Sequence, residues 1–417
     1  MIDRIARKIR RISRTAMLSS GVTVMRDRRL VRRVVPGIAG GDRSHLVVAA
    51  PGAGNIGDQA LFEAFLEATG GARVTVVVDS EDSVHVPAAY AERVEVAVLP
   101  HLLYGSGAAR RGDLRRYAGL LADAASLSVM GADIMDGRYS LRASVNRSAV
   151  AAAAADVGVD ARILGFSWNG EARFAARRAL ITAAGAGAVP MLRDGVSARR
   201  AVADGVPLVR DVADLVFAAS SVDPSAEALL PRPAKPIALV NVSGLISRTF
   251  DQVDEYERVI RHLRSVGCHV VLVPHVSRPK GDDVVACAAV AERVGPEDLT
   301  VVSGLLSPAQ IRGLTVRAAV TVTGRMHLAV MTLMHGTPAI TLATQGKVEG
   351  LMELFGTPEL CVAPVEGFAS SVIGAVDQVL PPDSPTRLAI ADALPRVREL
   401  AARNVDGLHA DQPIGAA

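Results

Sequence analysis

The chain has 417 residues, half of them hydrophobic but only 3% aromatic, with a net charge of +3. That length suits two ordinary domains, and cores built from Ala, Val and Leu favour α/β layers over a β-sandwich. Few aromatics exclude stacking platforms for glycans or single-stranded nucleic acid, and the modest charge requires no polyanionic partner. The three cysteines (Cys268, Cys287, Cys361) form no CxxC pair, so a disulfide framework or zinc site is not expected and a reducing cytoplasm is.

Basic charge is concentrated at the start: Arg4, Arg7, Lys8, Arg10, Arg11 and Arg14, then Arg26, Arg28, Arg29, Arg32 and Arg33. No secretory signal core is present, and no apolar run reaches the ~18 residues that suggest a spanning helix. Residues 1–43 read as a basic N-terminal extension outside the first core. Residues 1–33 are either solvated or a basic amphipathic helix at the inner face of a membrane.

From Leu46 the pattern alternates between strand and helix. Apolar runs predict strands at 46–50, 74–78, 94–98, 127–130, 162–165 and 189–193. Helical spacing predicts helices at 59–68, 114–124, 143–156, 173–184 and 197–203. Residues 221–236 hold Pro224, Pro231, Pro233 and Pro236 and read as a linker. The rhythm then restarts, with strands at 237–242, 270–273, 300–302, 318–322 and 337–342. Helices are predicted at 253–266, 282–294, 308–314, 328–335 and 348–355. The expected fold is α/β: a Rossmann-like domain over 44–220 and a second over 237–417, facing across a cleft in the GT-B-like manner.

Two turns between strand and helix carry the chemistry. Thr323-Gly324-Arg325-Met326-His327 places an arginine and an imidazole where a helix N-terminus points free N–H groups at anions. Lys347 stands at a similar start some twenty residues later. Gly52-Ala-Gly54-Asn55-Ile-Gly57-Asp58 has the spacing of a dinucleotide-binding loop. Asp58 would cap the following helix, and a carboxylate there suits a hydroxyl-bearing ligand or a general base better than a phosphate. His275 lies just past a strand of the second domain and is a candidate to line the cleft. His262, His335 and Asp282 read as surface or capping groups. Each site residue also has a plain reading: His327 capping its helix, Arg325 pairing with a structural acid, Arg193-Asp194 as an ordinary helix start.

Taken in order, these motifs resemble the polysaccharide pyruvyl transferase family. Its G-N-x-G-D loop is matched by Gly54-Asn55-Ile56-Gly57-Asp58, and its glycine-and-Asp turn by Gly131-Ala132-Asp133. An R-D-x-x-S element is matched by Arg193 to Ser197, G-R-x-H by Gly324 to His327, and K-x-x-G by Lys347 to Gly350. The resemblance covers roughly residues 46 to 356. It implies that phosphoenolpyruvate gives its enolpyruvyl carbon to two sugar hydroxyls of a cell-envelope glycan or lipid-linked saccharide, with phosphate leaving. It implies no cofactor and no metal, no nucleic-acid partner, and work in the cytoplasm. On this reading His327 protonates the enol carbon, and Asp58, from the facing domain, serves the attacking hydroxyl. Arg325, Arg193 and Lys347 bind the donor, assisted by Gly324, Asn55, Asp133 and His275. A helix N-terminus disfavours an imidazolium, so His327 would need a carboxylate partner. Two other classes fit the same pattern: a GT-B nucleotide-sugar glycosyltransferase and a non-catalytic scaffold held at a membrane.

Overall fold

The computed structural model describes residues 21–35, 44–230, 235–279, 281–343 and 346–408. The chain forms two compact units, each built on one parallel sheet.

In the first unit, α1 (Val22–Val34) precedes β1 (Ser44–Val48). After α2 (Ile56–Ala68) come β2 (Val74–Val78), β3 (Val94–Val98), α3 (Gly107–Ala122) and β4 (Ala124–Met130). Next are α4 (Leu141–Asp156), β5 (Asp160–Phe166), α5 (Phe174–Gly185), β6 (Val189–Leu192), α6 (Gly195–Ala203) and the short β7 (Arg210–Asp211). The seven strands lie in the order β3-β2-β1-β4-β5-β6-β7, all parallel. The order reverses between β1 and β4, which makes their carboxyl ends the topological switch point where ligands of such sheets bind. Ala149 to Ala154 of α4 are fully buried, as expected of a helix that packs closely through side chains no larger than Val.

The second unit repeats the plan. Its elements are β8 (Ile237–Asn241), α7 (Val253–Ser265), β9 (His269–Leu272), α8 (Asp283–Val294) and β10 (Leu299–Val301). Then come α9 (Pro308–Arg317), β11 (Ala318–Thr323), α10 (Met326–Leu333), β12 (Ala339–Leu342) and α11 (Val348–Phe355). Finally β13 (Cys361–Val362) leads into α12 (Phe368–Val379) and α13 (Pro385–Ala402). The strand order is β10-β9-β8-β11-β12-β13, again parallel and again reversing between the first strand and the fourth.

The units differ from the expected domains in three ways. First, the basic segment is not wholly an extension. Val24 and Val31 of α1 are fully buried in the first core, each worth roughly 1.5–3 kcal/mol of transfer free energy. Arg28 and Arg32 both bind Asp156, and Asp27 takes both ends of the Arg110 guanidinium. Apolar residues spaced through the run of arginines give α1 a buried stripe. Residues 1–20 lie outside the described residues. Second, Gly52–Glu67, placed in the first domain from sequence, belongs to the second unit, as does the chain from Asp214. Third, the chain rejoins the first unit at Arg403. There Asn404 accepts from the Gly165 N–H and donates to the Ala213 carbonyl. Of the proline-rich linker, Pro224–Leu229 forms a short 3-10 turn, and 231–234 lie outside the described residues.

Candidate functional site

The turn after β11 is fixed by its own residues. Thr323 Oγ1 accepts from the Arg325 N–H at 2.9 Å. A Cβ on Gly324 would lie 2.6 Å from the Ser243 Cβ, so only glycine fits there. Arg325 directly precedes α10 and turns its guanidinium onto Asp283, with Nη2 2.6 Å from Oδ1 and Nε 3.1 Å from Oδ2. Nη2 also donates to the Gly281 carbonyl. Asp283 is fully buried and accepts in addition from Asn241 Nδ2 and from the N–H groups of Gly244, His275 and Val276. A carboxylate can lie in such a place only because every lone pair is used and a cation faces it. The plain reading of Arg325 therefore holds: it neutralises a structural acid. Asp282 caps α8 as expected, accepting from Val284 and Val285, while Asp283 points back under the strand ends. Two consecutive acids at a helix start are the signal that could have exposed this split of roles.

His327 lies in the first turn of α10. Its Nε2 stands 3.5 Å from Oδ2 of Asp214, an ion-pair distance rather than a hydrogen bond. Asp214 is only 1% exposed, and its Oδ1 accepts from the Val216 N–H at the start of a short 3-10 turn. This carboxylate is the partner that an imidazolium at a helix N-terminus requires, and the sequence did not single it out. His275 is also buried, and among the described residues neither ring nitrogen has a hydrogen-bond partner. Burial pushes it well below the ordinary histidine range, and the neighbouring His327 and Arg325 add to the effect, so it is neutral.

The Gly52–Asp58 loop lies against the same turn. The Ile56 N–H donates to the His275 carbonyl, and the Ser277 N–H to the Gly54 carbonyl, forming a short antiparallel bridge. Gly54 adopts φ +68°, and a Cβ there would meet the Ser277 carbonyl oxygen at 2.1 Å. At Gly57 a Cβ would fall 2.2 Å from His327 Nδ1, so the backbone of this loop runs directly over the imidazole. Asp58 does not cap α2. Asn55 does so, its Oδ1 accepting from the Gly57 N–H, while its Nδ2 donates to Asp58 Oδ2 at 2.7 Å. Arg278 Nη2 stands 3.6 Å from the same oxygen, and its Nε holds the Ala53 carbonyl. Asp58 is thus part of the unit that carries His327, not of a facing domain. The bridge to residues 275–277 decides this, and no local pattern announces it.

Comparison with known families decides the affiliation. The sequence profile of the polysaccharide pyruvyl transferase family matches residues 55–346. The chain belongs to this family. The match begins at Asn55, in the loop over His327, and ends just before Lys347. No curated protein matches the chain. Among solved structures, UDP-GlcNAc 2-epimerase from Methanocaldococcus jannaschii is similar, with a TM-score of 0.55, 11% identity, and coverage of 87% of this chain and 98% of that one. Sucrose-phosphate synthase from Thermosynechococcus elongatus is similar at a TM-score of 0.54 and 14% identity, covering 88% of this chain and 98% of that one. At such identities the likeness is one of fold, and the fold of this pyruvyl transferase family member is GT-B-like.

The remaining candidates are distributed as follows. Lys347 belongs to the second unit, half-buried just before α11. Arg193 and Asp133 belong to the first unit. Arg193 is buried, with Nε donating to Ser167 Oγ at 2.7 Å. Asp194 caps α6, accepting from the Ser197 N–H and hydroxyl, so this half of the pair is an ordinary helix start. Asp133 sits half-buried in the turn after β4. Beside it Ala132 takes φ +47°, a left-handed conformation that a glycine would adopt without strain. Among the described residues, no helix is long and apolar enough to cross a membrane.

Proposed function

We propose that this family member transfers the pyruvyl group of phosphoenolpyruvate to two hydroxyls of a cell-envelope glycan, forming a ketal and releasing phosphate. The observation that carries the reading is His327, held between the buried Asp214 carboxylate and the Gly57 backbone in a chain of this family. The imidazolium gives its proton to C3 of the donor, C2 becomes electrophilic, and the Asp214 charge offsets the local field of the helix N-terminus. One hydroxyl adds at C2, the C2–O bond to phosphate breaks, and the second hydroxyl closes the ketal, so C3 ends as a methyl group. The donor's phosphate and carboxylate are met by the first N–H groups of α10 and by Lys347. Asp58 orients the attacking hydroxyl. Arg325 contributes chiefly by holding Asp283 and the turn in place. Asn55, Gly324 and His275 shape the backbone around the imidazole, and Arg193 and Asp133 remain candidates in the first unit on the strength of their motifs.

No resident cofactor is required, and the donor and its transfer belong in the cytoplasm. The test is incubation with phosphoenolpyruvate and a panel of free and lipid-linked glycans in D2O, following phosphate release. Phosphate release with one deuterium in the new methyl group is expected. Consumption of a UDP-sugar instead, with phosphoenolpyruvate untouched, would replace the reading by a glycosyltransferase.

A further inference from the structure

The first unit contains a cavity of about 350 Å³ that none of the family motifs touches. It lies at the carboxyl edge of the sheet, where α3 follows β3 and α4 follows β4, with α1 as its third wall. Four guanidiniums line it, those of Arg26, Arg110, Arg111 and Arg142, against the single carboxylate of Asp27. Asp27 is fully engaged by Arg110 through both Nη atoms, and Arg110 Nε donates to the Leu102 carbonyl. Arg142 donates to the Gly105 carbonyl. Among the described residues, Arg26 and Arg111 have no ion-pair or hydrogen-bond partner. The cavity therefore holds positive charge that its own lining does not balance.

Its shape narrows the ligand. The volume is that of a small-molecule site and far exceeds a bare phosphate ion. The wall has apolar patches from Leu30 and Leu114 and polar groups from Ser106 and Asn146, but no aromatic ring on which a nucleobase could stack. We infer that this cavity binds a phosphorylated or diphosphorylated sugar, with the phosphoryl group on Arg26, Arg111 and Arg142 and the sugar body against the apolar wall. The assignment stands on the first unit alone and does not depend on the transfer chemistry.

Calorimetry of the full chain with N-acetylglucosamine 1-phosphate, neutral N-acetylglucosamine and inorganic pyrophosphate tests it. The phosphate ester and pyrophosphate should bind and the neutral sugar should not. The Arg26→Glu/Arg111→Glu variant should weaken binding by about tenfold or more, as loss of charge-assisted bonds implies. Both side chains are exposed, so this variant should fold, and its phosphoenolpyruvate affinity should be unchanged. Arg115→Glu, exposed on the same helix but outside the cavity, serves as the charge control. Sedimentation with phosphatidylcholine vesicles containing phosphatidylinositol separates a lipid-borne phosphoryl sugar from a soluble one, and binding of either supports the site. Binding of neither, equal weakening by Arg115→Glu, or transfer of the effect to Lys347→Ala would overturn it.

Discussion

On the proposed mechanism His327 both donates a proton and contacts the ligand, and these two roles are separable. His327→Gln keeps a hydrogen-bonding group but cannot protonate carbon, so turnover should fall by about 10²–10⁴-fold while phosphoenolpyruvate affinity changes little. Asp214→Asn should lower turnover in the same direction and shift the pH profile of the reaction. An unchanged profile would remove Asp214 from the site. Gly57→Ala places a methyl group on the imidazole against backbone that the Ile56 N–H ties to the His275 carbonyl, so activity should be lost with the fold largely retained. Arg325 behaves differently. Arg325→Ala strands the buried Asp283 carboxylate, which should destabilise the protein by about 3 kcal/mol in urea unfolding. Adding Asp283→Asn should restore part of that loss. If Arg325→Ala instead unfolds like the wild type and binds the donor poorly, the structural role given to it here fails.

At the scale of elements, α1 is tested by truncation and by acid. Removing residues 1–35 uncovers the sites of Val24 and Val31 and should cost several kcal/mol, about 1.5–3 for each valine. Burial pushes Asp156 up, but the Arg28 and Arg32 guanidiniums outweigh it, and its carboxyl lies below the ordinary range. A depressed folded value means that its contribution is complete above the unfolded value and fades as acid protonates it. Asp156→Asn should therefore loosen α1 at neutral pH, seen as faster amide exchange over residues 22–34, and flatten the acid limb of stability. The starts of elements were harder to read than their cores. The helix expected from Leu114 begins at Gly107, because two glycines and the adjacent Arg110 and Arg111 hide its first turns. The helix expected from Gln59 begins at Ile56, because the Asn55 cap lies inside a motif read for its chemistry.

At the scale of the whole molecule, two histidines depressed by burial contribute to the pH dependence of stability. Burial pushes His275 well down, and burial with Arg312 and Arg398 brings His335 to about 4. In the unfolded chain both titrate near ~6.5. Because the unfolded state takes up protons that the folded state refuses, stability should be complete above that value and fall as pH drops through it. Urea midpoints between pH 7.5 and 5 should show the decline, and His275→Gln should reduce its slope. The architecture itself was legible in sequence: two runs of alternating strand and helix, buried valine runs and a proline-rich break suffice for two parallel sheets. The turn after β11 was legible too, because Gly324, Arg325 and His327 are adjacent and obey local rules. The residues that complete it were not. Asp214 and Asp283 reach His327 and Arg325 from more than forty residues away in the chain or more, and a buried acid looks in sequence like any surface one. Nor could periodicity show that Gly52–Glu67 joins the second unit, or that α1 is core rather than tail. Local hydrophobic pattern fixes which segments become strands and helices. Long-range backbone pairing and the need to neutralise buried charge are settled only when the chain has folded, and at this site they decide which carboxylate serves which cation.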